Sequence, residues 1–207
     1  MKSRIRSEPL SLDDYMASPY LIAPLRRHDF TMVSDGGAAL IVTSAERAAD
    51  FPKTPVHLIG MAEHAAISAF EREDNVMRPW LGQVAERLYA DAGVSRADID
   101  VLFIQDPFSV YVLDGLEAYG FCGAGEAGAF IQEGHTRLGG SMPCNTDGGL
   151  LSGSHCTHPS GMHTIEVVRQ LRGECGDRQV PNARIGISLA QGMAVHGHAG
   201  TLIMARD

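Results

Sequence analysis

The chemistry this chain can do is concentrated between Asn145 and His163, where the sequence reads NTDGGLLSGSHCTHPSGMH. Three histidines (His155, His158 and His163) and Cys156 stand among glycines and small hydroxyl residues, with Cys144 immediately before them. An imidazole titrates near neutrality, so it can take or give a proton, or donate to a developing negative charge. Histidine and cysteine also suit zinc, but these spacings match no common ligand pattern, and the expectation is no metal. Cys156 beside His155 invites a thiolate reading, although adjacent residues on a turn need not face each other. Two further places qualify. Asp106 follows an apolar run and precedes Pro107, so its carboxylate either points into a cleft or caps the free amides of a helix. His196 and His198 flank Gly197, and a period of two puts them on one face. They either take part in proton transfer or decorate an exposed hairpin.

Something must hold these groups. Ala38 to Thr43 reads as a buried strand after a glycine turn, with Ser44 opening a short helix. Val56 to Met61 reads as the next strand. Pro79 suits a first helical turn, Leu81, Val84, Ala85, Leu88 and Ala92 recur at helical spacing, and Gly93 is a natural stop. Val101 to Ile104 is a short strand apolar throughout, and a helix follows from Pro107 to about Tyr119. A short helix near Ala124 to Ile131 and a hairpin around Gly134 are expected next. A third helix follows from Gly161 to Leu171. Ala183 to Ala190 and Ala199 to Ala205 are strands joined too closely for a crossover, hence antiparallel. The order predicts an α/β layered fold with a mixed sheet.

Composition sets the bounds. With 207 residues and 44% hydrophobic content, the chain can bury one sizeable core. A formal charge of −8 opposes binding to a nucleic-acid backbone. No segment has the length and apolarity of a membrane span, and the first residues lack the apolar centre of a secretory signal. The four cysteines are too few and scattered for a disulfide scaffold, which points to free thiols in the cytoplasm.

Several motifs in order resemble one family. Asp35-Gly36-Gly37-Ala38-Ala39, Asp106-Pro107-Phe108-Ser109, Gly120-Phe121-Cys122, Gly125-Glu126, Gly139-Gly140 and Asn145-Thr146-Asp147-Gly148-Gly149-Leu150-Leu151-Ser152 are similar to the C-terminal part of thiolases. The likeness is strongest to the sterol-carrier-protein-type thiolases, acetyl-CoA acetyltransferase-like proteins and their aldolase-like relatives. It implies the C-terminal half of a thiolase-like layered sandwich, αβα with a mixed five-stranded sheet. Residues 1–54 would be the remnant of an N-terminal half, including one strand, and 55–207 the C-terminal domain. The resemblance places the family's GHPxGATG histidine on His155, without the proline that directly follows it in the family. It makes Asp106 a group that orients water or that histidine. The family's late CxGG loop falls near Ala190 to Met193, where there is no cysteine, and His196 or His198 would replace its proton-transfer role.

The implied function is a C-terminal half or subunit of an acyl-CoA acyltransferase or carbon–carbon lyase in lipid metabolism. Its substrate would be a coenzyme A thioester, with no tightly bound cofactor, and His155 would be oxyanion-hole donor or base. The half carrying the nucleophile would come from elsewhere, through a homo-oligomer or a hetero-oligomer with a thiolase-like or acyl-binding partner. The alternative is a noncatalytic thiolase-like scaffold subunit.

Overall fold

The computed structural model describes residues 9–65, 78–153, 155, 159–192 and 198–206. The elements are α1 (Leu12–Ala17), β1 (Tyr20–Ile22), β2 (Leu25–Arg26), α2 (Ala45–Ala48), β3 (His57–Ala65), α3 (Arg78–Ala92), β4 (Val101–Ile104), α4 (Ser109–Ala118), α5 (Ala127–Gln132), α6 (Gly149–Gly153), α7 (Pro159–Leu171), β5 (Ile185–Gly192) and β6 (His198–Ala205). Strands β1 and β2 form a small antiparallel hairpin of their own.

The main sheet has the order β3-β6-β5-β4. Strands β4 and β5 are parallel, and β6 runs antiparallel to both β5 and β3. The sheet is therefore mixed, with four strands among the described residues rather than five. The outer edge of β4 is closed by irregular chain instead. Leu102 N–H donates to Pro143 O at 2.9 Å, and Asn145 N–H donates to Leu102 O at 2.9 Å.

All four β4 residues are buried, as a strand covered on both faces must be. Leu102 and Ile104 pack with Leu81, Val84, Leu88 and Leu116 beneath α3 and α4. Val101 and Phe103 point the other way, against Val167 and Leu171 of α7. This alternation gives a helix–sheet–helix arrangement with two apolar clusters. Gly186 lets α7 come close to β5, since a Cβ there would stand 2.6 Å from Val167 Cγ1. Tyr119, fully buried, is satisfied by Thr201 at 2.5 Å.

Three expectations need correction. The run Ala38 to Thr43 has no regular structure and pairs with no strand among the described residues, and it is not buried: Ile41 and Val42 are 82% and 88% exposed. A β-strand needs neighbours for its amides, and the described residues offer none at that place. The hairpin expected around Gly134 is a series of turns, with Met142 N–H on His135 O and Cys144 N–H on Thr136 O. The helix after Pro107 starts at Ser109 with Phe108 as its N-cap residue, so Asp106 is not its cap. The turn expected at His196-Gly197 lies outside the described residues.

Candidate functional site at the end of β4

Chain segments converge where β4 ends. The first is residues 29–34. Buried Asp29 accepts from Tyr15 Oη (2.9 Å), Arg26 N–H (2.6 Å) and Ser109 Oγ (2.7 Å), which ties the β1–β2 hairpin to the start of α4. Phe30 packs edge-on against Phe108. Thr31 N–H donates to Pro107 O at 3.0 Å, and its hydroxyl donates to Leu150 O at 2.8 Å.

The second is the loop carrying His155. Its N–H donates to Met32 O at 2.8 Å, and its carbonyl accepts from Ser34 N–H at 3.1 Å, a short parallel bridge centred on Val33. The backbone of position 155 is thus fixed, and its side chain is half-buried. A rim of contacts joins the two residues: Asp106 holds the amides of Leu150 and Leu151, Leu150 O holds Thr31, and Met32 and Ser34 hold the backbone of His155.

Asp106 has a definite task. It is buried, and its two oxygens accept from Leu150 N–H (2.7 Å) and Leu151 N–H (3.3 Å). It therefore caps α6, a helix 43 residues further along the chain, and not the helix next to it in sequence. Burial pushes its carboxyl up to about 7, against the lowering effect of these two amides and helped by nearby Asp147. Gly149 makes room for it: φ is +61°, and a Cβ there would stand 2.3 Å from Asp106 Oδ2. Asn145, at φ +48°, holds the same end of β4. Its Oδ1 accepts from Ile104 N–H and its Nδ2 donates to Ile104 O, both at 2.9 Å.

His198 is exposed and opens β6, opposite Ala65 and Gly192. It lies at the end of the sheet to which β5 runs past Leu189, the partner of Ile104. His196, Cys156 and His158 lie outside the described residues. Cys144 and Cys175 are poor nucleophiles, because burial raises both thiols above their ordinary range. Among the described residues no group of three or more His, Cys, Asp or Glu is placed to hold a metal, and no helix is long and apolar enough to cross a membrane.

One pattern escaped the sequence reading. His163, Glu166 and Gln170 follow helical spacing on α7, yet all three are buried. Glu166 takes a two-pronged contact from Arg178, at 2.5 and 3.0 Å. Gln170 donates to Thr146 Oγ1 and Arg178 O, and accepts from Val180 N–H. A polar stripe on a helix reads as a solvated face unless its partners, far away in sequence, are known. A second signal was also available: the His-Pro-x-Gly order of the family loop stands literally at His158-Pro159-Ser160-Gly161, three residues beyond His155.

Comparison with known proteins agrees with this architecture. Residues 61–206 match the family described as thiolase C-terminal domain-like. A steroid side-chain-cleaving aldolase of Thermomonospora curvata is 33% identical over 211 residues, covering 100% of this chain and 52% of the relative. The 17-hydroxy-3-oxo-4-pregnene-20-carboxyl-CoA lyase of Mycobacterium tuberculosis is 35% identical over 178 residues, covering 83% of this chain and 45% of the relative. The solved Ltp2-ChsH2(DUF35) aldolase superimposes with a TM-score of 0.89 at 33% identity, covering 99% of this chain and 53% of that one. The chain spans about half the length of the curated relatives it matches. With the family match over most of its residues and the motifs at the end of β4 in place, the chain belongs to the thiolase C-terminal domain-like family.

Proposed function

We propose that this chain supplies the C-terminal half of a thiolase-like carbon–carbon lyase or acyltransferase acting on coenzyme A thioesters. The observation that carries the reading is the likeness of the whole chain, in sequence and in fold, to a side-chain-cleaving aldolase. The name of the second relative supplies the substrate class, a carboxyl-CoA. Residues 55–207 act as the C-terminal domain and 1–54 as the end of an N-terminal half. The remainder of that half, matched here by nothing, works with this chain as a partner or as part of one polypeptide.

In aldol-type cleavage a base takes the proton of the β-hydroxyl group. The electron pair of the breaking carbon–carbon bond then moves to the thioester, whose enolate oxygen becomes negative. A donor held at that oxygen lowers the barrier. His155 fits such a donor or base, because its loop is anchored at both backbone groups and its ring is partly accessible. His158, which keeps the family's His-Pro step, competes for the role. Proton return to carbon falls to His198, exposed where β6 opens, or to His196, two residues before it in sequence. Asp106 supports the rim, its two oxygens each held by an amide of α6.

That occupation of Asp106 also favours a second reading, a noncatalytic subunit that keeps the fold and assembles with a thiolase-like or acyl-binding chain. The test is cleavage of a β-hydroxyacyl-CoA by the assembled protein. His155→Ala should lower kcat about 10²- to 10³-fold with the assembly intact. Full activity in that variant together with loss in His158→Ala moves the role to His158. Turnover by this chain alone refutes the need for a nucleophile half. Assembly without turnover, insensitive to either histidine, establishes the scaffold reading.

A further inference from the structure

The polar stripe on α7 has one member out of keeping with the others. Glu166 and Gln170 are fully engaged. His163 is 1% exposed, and among the described residues neither ring nitrogen has a hydrogen-bond partner. Burying an imidazole without a partner costs free energy that folded proteins rarely leave uncollected. The nearest acidic oxygen is Asp106 Oδ1, 3.9 Å from Nε2 and itself buried. That distance is about 1 Å beyond a hydrogen bond. Burial alone lowers the ring to about 4, so it faces the carboxyl in its neutral form.

A neutral imidazole can carry its hydrogen on either nitrogen, and the partner available decides which. Here the carboxylate already takes two amides from α6, and each carboxylate oxygen has a lone pair to spare. We propose that His163 is a positioning residue for the His155 rim: its Nε2–H donates to Asp106, and this third donor holds the carboxylate on the amides of Leu150 and Leu151. The ring thus fixes the start of α6, and Leu150 O in turn anchors Thr31 beneath the bridge to His155. Among the described residues the other titratable groups coupled to Asp106 are Asp147 and Cys144 on the neighbouring loop, and Glu166 and Arg178 act in turn on Asp147. None of them is within hydrogen-bonding distance of the His163 ring. The inference rests on the proposed site only for its consequence. The contact itself can be read without turnover.

The experiment is a pH series of ring-nitrogen and amide NMR spectra on the full chain, comparing wild type with His163→Phe and His163→Gln. Above pH 8 the wild-type ring should be a single Nε2–H tautomer. The Leu150 and Leu151 amides should report the Asp106 titration. Loss of a donor to the charged form should raise that midpoint by roughly one pH unit in H163F. Glutamine, which can donate from its amide, should restore it. An unchanged midpoint in folded H163F, or a midpoint raised equally in both variants, overturns the proposal. Should H163F not fold, a wild-type ring held as Nδ1–H or as a mixture of tautomers overturns it alone. Failure of His155→Ala to affect turnover bears on the site and leaves this hydrogen bond standing.

Discussion

Replacing Asn145 by alanine should cost far more than an ordinary loop substitution. Its side chain makes two hydrogen bonds to the main chain of Ile104, a residue with no solvent exposure. Alanine leaves one buried N–H and one buried C=O without partners, at about 1–3 kcal/mol each. It also loses asparagine's tolerance of the left-handed backbone, worth about 1 kcal/mol at φ +48°. Allowing for water entering the gap, N145A should lose roughly 3–5 kcal/mol, a large part of the 5–15 kcal/mol that holds a domain together. Asn145→Gly keeps the backbone geometry and should recover about 1 kcal/mol of that loss. Urea unfolding should show a lower midpoint with an unchanged slope. Amide exchange at Ile104 should speed up more than at Phe103, whose partners lie within the sheet. A loss below about 1 kcal/mol in N145A, or a glycine variant worse than the alanine one, would refute the assignment of Asn145 as a clamp on β4.

Three other outcomes follow from the same end of the sheet. Gly149→Ala should displace the Asp106 carboxylate and destabilise by about 2–4 kcal/mol. On an Asp106→Ala background it should cost clearly less, and additive costs in a double-mutant cycle would show that the two do not touch. Arg178→Met leaves Glu166 charged and buried and should cost about 3–5 kcal/mol, while the double replacement E166M/R178M should regain most of it. Equal stability of R178M and wild type by denaturant titration would count against the buried pair. The third outcome concerns pH. The Asp106 carboxyl is raised to about 7, above an unfolded value of about 3.9, so the native state holds the extra proton between those limits. Its contribution to stability is full below about pH 4, declines as pH rises to about 7, and is flat above, with a ceiling of about 4 kcal/mol. Asp147 shifts in the same direction. Asp106→Asn should remove part of this downward slope, and identical pH–stability profiles for the two proteins would contradict it.

The elements with a single dominant period were legible in the sequence. The apolar spacing of α3 ended at Gly93, as its φ of +65° requires, and the unbroken apolar run of β4 sits between two helical layers. The family motifs led to the thiolase C-terminal domain-like fold. What stayed hidden was tertiary. The acceptor for the α6 amides comes from Asp106, 44 residues before Leu150, and no local rule links them. The buried stripe on α7 looks solvated in sequence because Arg178 and Thr146, its partners, lie on other connections. The segment Ala38 to Thr43 has the composition of a strand and, among the described residues, no neighbour to become one with. Composition records what a segment could pair with, while pairing depends on which edges the fold leaves open.

The span between Ser34 and Lys53 is pinned at both ends and along α7. Ser34 is bonded to the His155 carbonyl, Ala38 lies against Gly161, and at the far end Lys53 reaches Glu174 while Thr54 O receives Arg172 Nε. A protease that cuts its exposed middle would therefore divide the polypeptide without dividing the molecule. The front fragment would stay seated through Asp29, Phe30 and Thr31 on residues of the back fragment. Gels run in detergent would show two bands, while size-exclusion chromatography would still give a single particle.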